Sequence, residues 1–314
     1  MRLKVAFQMD PLPSLNYAAD TTVALIFEAN RRGYELYFYE PHQLTWSNHQ
    51  VRAPLFPLSI DTAMMPPLIL SKSEMRDLSD MDVIWIRQNP PFDLGYFTNT
   101  YLLESLPPTT LVLNAPHGVR NAPEKLLITK FAHLMPPTLI TEDLEEITAF
   151  QETHGDIILK PLYEFGGAGI FYLKPGDVNL AVATEMMRKS YPTQPWMVQK
   201  FLPEVRQGDK RLLLLDGELI GGFSRIPAEE SIRSNLVRGG QGQPYHPTEK
   251  DKKICQELAP MLKEMGLFFV GLDIIGDYLT EINVTSPTGI QMLNKLNKMH
   301  VERLVWDKVL EKRV

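Results

Sequence analysis

The chain has 314 residues, of which 44% are hydrophobic and 22% are charged, a composition typical of a folded protein with two or three domains. Its formal net charge of −6 argues against binding to nucleic acid through overall charge. A single cysteine, Cys255, excludes an intrachain disulfide. The sequence shows neither a signal peptide nor an apolar run long enough to cross a bilayer, so we expect a cytoplasmic protein with no membrane partner.

The first third of the chain alternates short apolar runs with longer amphipathic stretches. The predicted strands cover residues 3–8, 35–39, 82–87 and 111–114, and the predicted helices cover residues 20–32 and 93–105. This alternation predicts a parallel sheet with crossover helices, that is, a Rossmann-like domain over residues 1–121. Residues 52–72 are rich in proline and methionine without a clear period, and we predict a loop there.

A second domain is predicted over residues 122–200. The segment Asn121-Ala-Pro-Glu124 has the pattern of a helix start, with Asn as the cap and Glu three residues later, and it predicts a helix to about residue 134. The same domain has predicted strands at 138–141, 157–160, 170–173 and 196–200, and predicted helices at 144–154 and 180–190.

A third domain is predicted over residues 201–314. The Asp216-Gly217 dipeptide between two apolar runs predicts a hairpin. The two strands of this hairpin are predicted at 210–215 and 218–224. They are followed by a glycine-containing loop at 226–247, a helix at 249–265, a second hairpin, and a helix at 300–312.

The second hairpin carries Asp273, Glu281 and Asn283 on two apolar strands. Oxygen ligands of this kind suit Mg²⁺, whereas Zn²⁺ prefers Cys or His. Glu281 and Asn283 share a strand face, but a two-residue turn at Gly276-Asp277 would leave Asp273 on the opposite face. A metal site therefore requires a longer turn or a bulge. The alternative is that these residues form the polar face of an amphipathic hairpin.

A second pattern indicates phosphate binding. Lys160 ends an apolar strand and is followed by a loop that contains Gly166 and Gly167. Glycines let backbone N–H groups approach a phosphate, and a neighbouring lysine adds positive charge. Lys125 is a second candidate, because a cation in the first turn of a helix is disfavoured by the dipole unless an anion compensates it. A flexible hairpin tip is the alternative interpretation of the glycine loop.

The connector between the second and third domains is a candidate site for a flat ring. It consists of Gln199, Lys200, Phe201 and Leu202, and backbone groups in such a connector can bind the edge of a base. An ordinary interdomain crossover explains the segment equally well.

Basic residues of the third domain occur where solvated side chains are not expected. Lys210, Arg211 and Arg225 lie in apolar strands, so we expect each to face an anionic ligand or a buried carboxylate. Arg233 lies in the long loop with several glycines, which is typical of a lid that closes over a charged substrate.

Together these segments resemble the bacterial type of glutathione synthetase, an ATP-grasp ligase family, over nearly the whole chain. The most specific match is Thr280-Glu-Ile-Asn-Val-Thr-Ser-Pro-Thr288, and Met9-Asp-Pro11 and Gly208-Asp-Lys-Arg211 also match. The resemblance implies an α/β fold with α+β lobes, in which an ATP-grasp unit follows an N-terminal Rossmann-like domain.

The resemblance also implies a reaction: γ-glutamylcysteine, glycine and ATP give glutathione, ADP and phosphate through an acyl phosphate. It implies Mg²⁺, or Mn²⁺, as the cofactor and a homo-oligomer, either a tetramer or a dimer. The implied roles are metal ligands at Asp273, Glu281 and Asn283; catalytic residues at Arg225, Lys210, Arg211 and Arg233; ATP contacts at Lys125, Lys160, Gly166, Gly167, Gln199, Lys200, Phe201 and Leu202; and substrate contacts at Asp10, Arg87, Ser286 and Thr288.

Three positions depart from the family pattern. Glu164 stands where relatives usually have Gly, Asn89 where they often have Asp, and Ala115 where they often have Lys. A carboxylate at position 164 would repel a triphosphate unless it points away. Two alternative functions remain at this point: another ATP-grasp ligase with a different acceptor, and a nucleotide-binding regulator without catalysis.

Overall fold

The computed structural model describes residues 2–228 and 240–313. The N-terminal sheet contains β1 (Lys4–Met9), β2 (Glu35–Tyr39), β3 (Thr45–Ser47), β4 (Gln50–Ile60), β5 (Leu68–Leu70), β6 (Glu74–Asp77), β7 (Val83–Arg87) and β8 (Leu111–Leu113). Its parallel centre has the order β2-β1-β7-β8, which confirms the predicted Rossmann-like layer. The helices of this part are α1 (Thr21–Arg31), α2 (Leu94–Glu104) and the short α3 (Pro116–Arg120).

The predicted loop at 52–72 is wrong, because most of β4 and all of β5 lie within it. In β4 the residues Val51, Ala53 and Leu55 are fully buried and alternate with more exposed neighbours, so a period of two is present. Pro54 and Pro57 obscure it, since proline removes a ladder hydrogen bond. The strand tolerates them because its pairings with β2, β3, β5 and β6 are all short.

The predicted helix start at Asn121 is also wrong. Asn121 follows the last residue of α3, and only a 3₁₀ segment, Leu127–Leu134, forms downstream. The capping box fails for a tertiary reason: the Glu124 carboxylate accepts hydrogen bonds from Val284 N and Thr285 N, at 2.8 and 3.0 Å, instead of capping its own helix.

The second sheet is antiparallel, with the order β11-β10-β12-β9. Its strands are β9 (Thr138–Thr141), β10 (Ile157–Pro161), β11 (Phe171–Leu173) and β12 (Trp196–Lys200), and it is covered by α4 (Leu144–His154) and α5 (Asn179–Ser190). These elements agree closely with the prediction, because their apolar runs have the period of the structures they form.

The third sheet has the order β15-β14-β13-β16-β17. Its elements are β13 (Asp209–Leu215), β14 (Glu218–Ile226), β15 (Gln241–Pro244), α6 (Glu249–Glu264), β16 (Phe269–Ile275), β17 (Tyr278–Asn283), α7 (Ile290–Asn297) and α8 (Val301–Lys312). The sequence analysis missed β15, which has no apolar residue, and α7, whose first N–H group donates to the Thr21 hydroxyl on α1 at 3.3 Å.

Two apolar clusters join the first and third sheets, and one of them also contains Met197 of β12; a third cluster lies between the second sheet and its helices. In one shared cluster the rings of Trp85 on β7 and Trp306 on α8 lie 5.9 Å apart, and Trp306 donates to the Leu25 carbonyl at 2.9 Å. Each sheet lies inside one of the predicted domain ranges, and the boundaries themselves stay a prediction. In the described part of the chain, no helix is long and apolar enough to span a bilayer.

We predict that Gly118→Ala destabilises the protein. A methyl group at Gly118 on α3 would lie 2.0 Å from the Met265 carbonyl oxygen after α6, and backbone cannot give way as a flexible side chain can. Overpacking of this kind costs about 1–3 kcal/mol in the free energy of unfolding. Urea denaturation measures it. Gly95→Ala in α2 is the control, since its methyl group meets only the Asp93 side chain, at 3.2 Å. Equal midpoints for both variants would contradict the close contact.

Candidate active site

The hairpin of β16 and β17 contains the bulge that the metal hypothesis requires. Tight pairing at the Gly276-Asp277 turn sets Ile275 opposite Tyr278, yet Asp273 pairs with Glu281, so Thr280 is the extra residue. The bulge brings Asp273 and Glu281 opposite each other, and Asn283 lies on the same face of β17 as Glu281.

Asp273 is buried between two arginines. Its carboxylate accepts from Arg211 Nε at 2.6 Å and from Arg211 Nη2 at 3.1 Å, and it lies 2.9 Å from Arg225 Nη2. Burial opposes ionisation, but the two guanidinium groups outweigh it and lower the pKa of Asp273 to about 2. Arg225 also pairs with Asp209. The expectation of an anionic partner for Arg211 and Arg225 is confirmed, and the partners present are carboxylates.

Lys210 points to the other face of β13. Its ammonium lies 2.8 Å from the buried Asp251 on α6, which also accepts from Thr248 N and from the Tyr245 hydroxyl. The structure therefore does not bring Lys210 to Asp273, and its predicted catalytic role has no support from this geometry. Arg233 lies outside the described residues.

A pocket opens between the second and third sheets. Asp273 and Glu281 line its third-sheet side. The lining contains every residue predicted to contact ATP: Lys125, Lys160, Gly166, Gly167, Gln199, Lys200, Phe201 and Leu202.

One end of the pocket is lined by two lysines and a glycine loop. Lys160 is buried, and this burial lowers its pKa to about 8. Lys125 Nζ lies 3.0 Å from Glu281 Oε1 and donates to the Glu164 carbonyl. Gly166 and Gly167 have φ of 59° and 75°, the left-handed conformation in which glycine is favoured. This end can hold an anion against two ammonium groups.

The other end of the pocket is a slot with apolar walls. Ile158 and Ile275 come from opposite sheets, and Phe201 is braced by the Tyr172 ring at 4.6 Å. Gln199 Nε2 donates to Thr138 Oγ1 at 2.9 Å, which fixes the orientation of its amide. A planar, largely apolar group fits this slot.

The predicted substrate contacts form a second group outside the pocket. Arg87 is buried and donates to Thr22 Oγ1 at 3.0 Å and to the Pro287 carbonyl at 2.9 Å, while Ser286 Oγ donates to the Arg87 carbonyl at 3.4 Å. The Thr288 carbonyl accepts from Arg211 Nη1 at 3.4 Å, so residues 284–289 connect this group to Asp273.

Two residues that hold this loop escaped the sequence analysis as functional positions. Glu124 Oε1 accepts from Val284 N, Thr285 N and Thr285 Oγ1, and Asn114 Nδ2 donates to the Val284 carbonyl at 2.7 Å. Asn114 is buried and Glu124 is partly buried, and both form hydrogen bonds with residues far away in the sequence. Only the polarity of Asn114 after an apolar strand could have drawn attention to it.

Comparison with known protein families identifies the family to which this chain belongs. Residues 3–120 match the model of the prokaryotic glutathione synthetase N-terminal domain, and residues 124–298 match that of the prokaryotic glutathione synthetase ATP-grasp domain. The chain belongs to the prokaryotic glutathione synthetase family. It has the ATP-grasp fold and is an ATP-dependent ligase, as the resemblance predicted.

Relatives named glutathione synthetase match nearly end to end. The protein of Agrobacterium fabrum is 47% identical over 309 residues, 98% of this chain and 97% of the relative. That of Escherichia coli O157:H7 is 41% identical and covers 98% of each chain. Among solved structures, D-cycloserine synthetase DcsG superposes with a TM-score of 0.70, covering 99% of this chain and all of that one. Because the two sequences are only 12% identical, this similarity shows the fold alone.

The structure describes contacts at all three positions that depart from the family pattern. The Glu164 carboxylate lies near the Tyr191 hydroxyl, whose pKa is raised first by burial and then by that carboxylate. Asn89 N donates to Asp10 Oδ2 at 3.1 Å. Ala115 N donates to the Gly266 carbonyl at 3.0 Å, in the contact between the first and third sheets.

The donor chemistry of the predicted metal site fits a hard divalent cation. Asp273, Glu281 and Asn283 offer oxygen atoms, and Asn283 Nδ2 donates to the Gly271 carbonyl at 3.2 Å, which leaves Oδ1 as the accepting end of the amide. Nowhere in residues 2–228 and 240–313 do three His, Cys, Asp or Glu side chains form a metal cluster, so the set needs the asparagine.

We predict that the affinity for ADP falls as the pH rises above about 8. Lys160 has a pKa of about 8 in the free protein, and phosphate beside it favours the protonated form, so binding is coupled to proton uptake. Above that pH the affinity should fall by up to about tenfold per pH unit. Calorimetry in buffers of different ionisation enthalpy measures both quantities.

Two variants test this prediction. Lys160→Met should bind ADP more weakly and without proton uptake near pH 8, whereas Lys174→Met, an exposed lysine beyond β11, should behave as the original protein does. Proton uptake that persists in Lys160→Met would assign the titration to another group.

Proposed function

We propose that this chain joins glycine to γ-glutamylcysteine at the expense of ATP, giving glutathione, ADP and phosphate through an acyl phosphate. One observation carries the proposal: all the predicted ATP contacts line one pocket, with Asp273 and Glu281 in its wall. Relatives named glutathione synthetase that are 41–47% identical over almost the full chain support the same reaction.

The chemistry requires positioning and charge more than a protein nucleophile. Phosphoryl transfer is catalysed mainly by aligning the reactants and neutralising the charge on the transferred group. Lys125 and Lys160, with the glycines beside them, would hold phosphate oxygens, and the apolar slot would hold the adenine ring. Mg²⁺ or Mn²⁺ on Asp273, Glu281 and Asn283, when bound, would neutralise further phosphate charge.

We propose that Arg225 and Arg211 stabilise negative charge at the place where the phosphate pocket meets the substrate contacts. Both contact Asp273, and Arg211 also contacts the Thr288 carbonyl, so they lie between the phosphate pocket and residues 284–289. Positive charge at this junction suits an acyl phosphate, whose oxygens carry negative charge while glycine attacks.

A cytoplasmic homo-oligomer is part of the same proposal and rests on the family resemblance. Light scattering of the purified chain tests the oligomer, with a single monomeric mass as the contradicting result.

We predict that ADP release with γ-glutamylcysteine is greatest when glycine is the acceptor. The value of kcat/KM with glycine should exceed that with alanine by about tenfold or more, since one added methyl group in a closely fitting site has an effect of this size. A coupled assay for ADP with a panel of amino acids measures it. A faster acceptor would favour a ligase of different specificity, and ATP binding without any turnover would favour a regulator.

We also predict that Glu281→Gln weakens the binding of Mn²⁺. In the presence of ADP its dissociation constant should rise by more than about tenfold, since even residues that only orient metal ligands contribute that much. Electron paramagnetic resonance of free Mn²⁺ measures this without turnover. Glu218→Gln, at an exposed position on the same sheet, is the matched control. Equal Mn²⁺ binding by both variants would refute the metal assignment.

A further inference from the structure

The loop after β10 places an acidic residue in the lining of the phosphate pocket. Glu164, Phe165, Gly166 and Gly167 all line the pocket, and Glu164 is half-buried. The backbone carbonyl of Glu164 accepts a hydrogen bond from the Lys125 ammonium, so this residue adjoins one of the two lysines of the pocket. A carboxylate that turned toward the same lysines would repel the negative oxygens of a bound phosphate.

Tyr191 packs against the same loop from the core of the second sheet. It directly follows α5, its N–H donates to the Met187 carbonyl at 2.8 Å, and its ring packs on the apolar cluster of that sheet. Its hydroxyl lies close to Gly169, since a methyl group at that glycine would be 3.3 Å from Tyr191 Oη. The Glu164 side chain lies near the same hydroxyl. Tyr191 is therefore adjacent to both ends of the glycine loop, residues 164–169.

The negative charge of Glu164 acts on Tyr191. The pKa of Tyr191 is raised, first by burial and then by the Glu164 carboxylate. Burial is also the largest cause of the lowered pKa of Lys160, and the charges that act on this lysine next are those of Glu281, Lys125, Asp273 and Asp209. None of these four charges is that of Glu164, which indicates that its carboxylate is turned toward the hydroxyl and away from Lys160.

We propose that Tyr191 is a positioning residue, whose hydroxyl donates to the Glu164 carboxylate and holds that charge away from the phosphates of the bound nucleotide. The inference rests on the proposed function, which places those phosphates beside Lys125 and Lys160. A hydroxyl suits this task, because a hydrogen bond to an ionised acceptor is strong. A cation in the same place would instead attract the phosphates away from the two lysines.

The test removes the hydroxyl alone and measures nucleotide binding by calorimetry. In Tyr191→Phe the dissociation constant for ADP should rise by about tenfold at low salt, the effect expected from losing a hydrogen bond to a charged group. The loss should shrink in about 1 M salt, where the screening length falls to about 3 Å. Adenosine carries no phosphate, so its dissociation constant should stay unchanged, which also shows that the variant is folded.

A second substitution separates positioning from packing. Glu164→Gln removes the charge and keeps the shape of the side chain, so adding Tyr191→Phe to it should leave the ADP affinity unchanged. A hydroxyl that only packs the loop would lower the affinity equally with and without the carboxylate. Tyr101→Phe is the matched control, since Tyr101 is an exposed tyrosine on α2 and does not line the pocket. This variant should bind ADP as the original protein does.

The outcomes separate the two proposals. An unchanged ADP affinity in Tyr191→Phe, or a loss that persists in the Glu164→Gln background, overturns the role of Tyr191 and leaves the proposed reaction intact. Failure of the original protein to bind ADP overturns both.

Discussion

The one-residue bulge at Thr280 sets the chemistry of the site, because a shift of one residue moves every following side chain of a strand to the other face. With the bulge, Glu281 and Asn283 join Asp273 on one surface. Asp273 is then enclosed by Arg211 and Arg225, so a buried negative charge is neutralised by two buried positive ones. An unpaired carboxylate at this depth would be strongly destabilising, and Arg225 also pairs with a second carboxylate, that of Asp209.

The position of residues 284–289 depends on the first sheet as much as on the third. Glu124, Asn114, Arg87 and Thr21 all bind this loop, and all four lie before residue 125 in the chain. The shared apolar clusters pack the first and third sheets together, while the second sheet has a core with its own helices and contributes Met197 to one shared cluster. The pocket opens between the second and third sheets.

The predicted ATP contacts and the predicted substrate contacts lie in different parts of the molecule. The pocket residues come from the second and third sheets together with Lys125, whereas Asp10 and Arg87 come from the strand ends of the first. Asp273 and Arg211 lie at the junction. The chain shares its fold with D-cycloserine synthetase DcsG at 12% identity, so the fold alone does not set the substrate of such a protein.

The sequence by itself determined the strands and helices of the second sheet, the two hairpins and the glycine loop after Lys160, because periodicity, an Asp-Gly turn and a run of glycines are local signals. The sequence showed that a metal site requires a longer turn or a bulge, but it did not show that the bulge lies at Thr280. Only the tertiary structure decided that β4 is a strand despite its prolines, that Lys210 pairs with Asp251, and that Glu124 holds the end of β17 instead of capping a helix. The pairing of Lys210 and that of Glu124 depend on partners 41 and 160 residues away, and the free energy of burying a polar group is set by such distant partners, which no local pattern encodes.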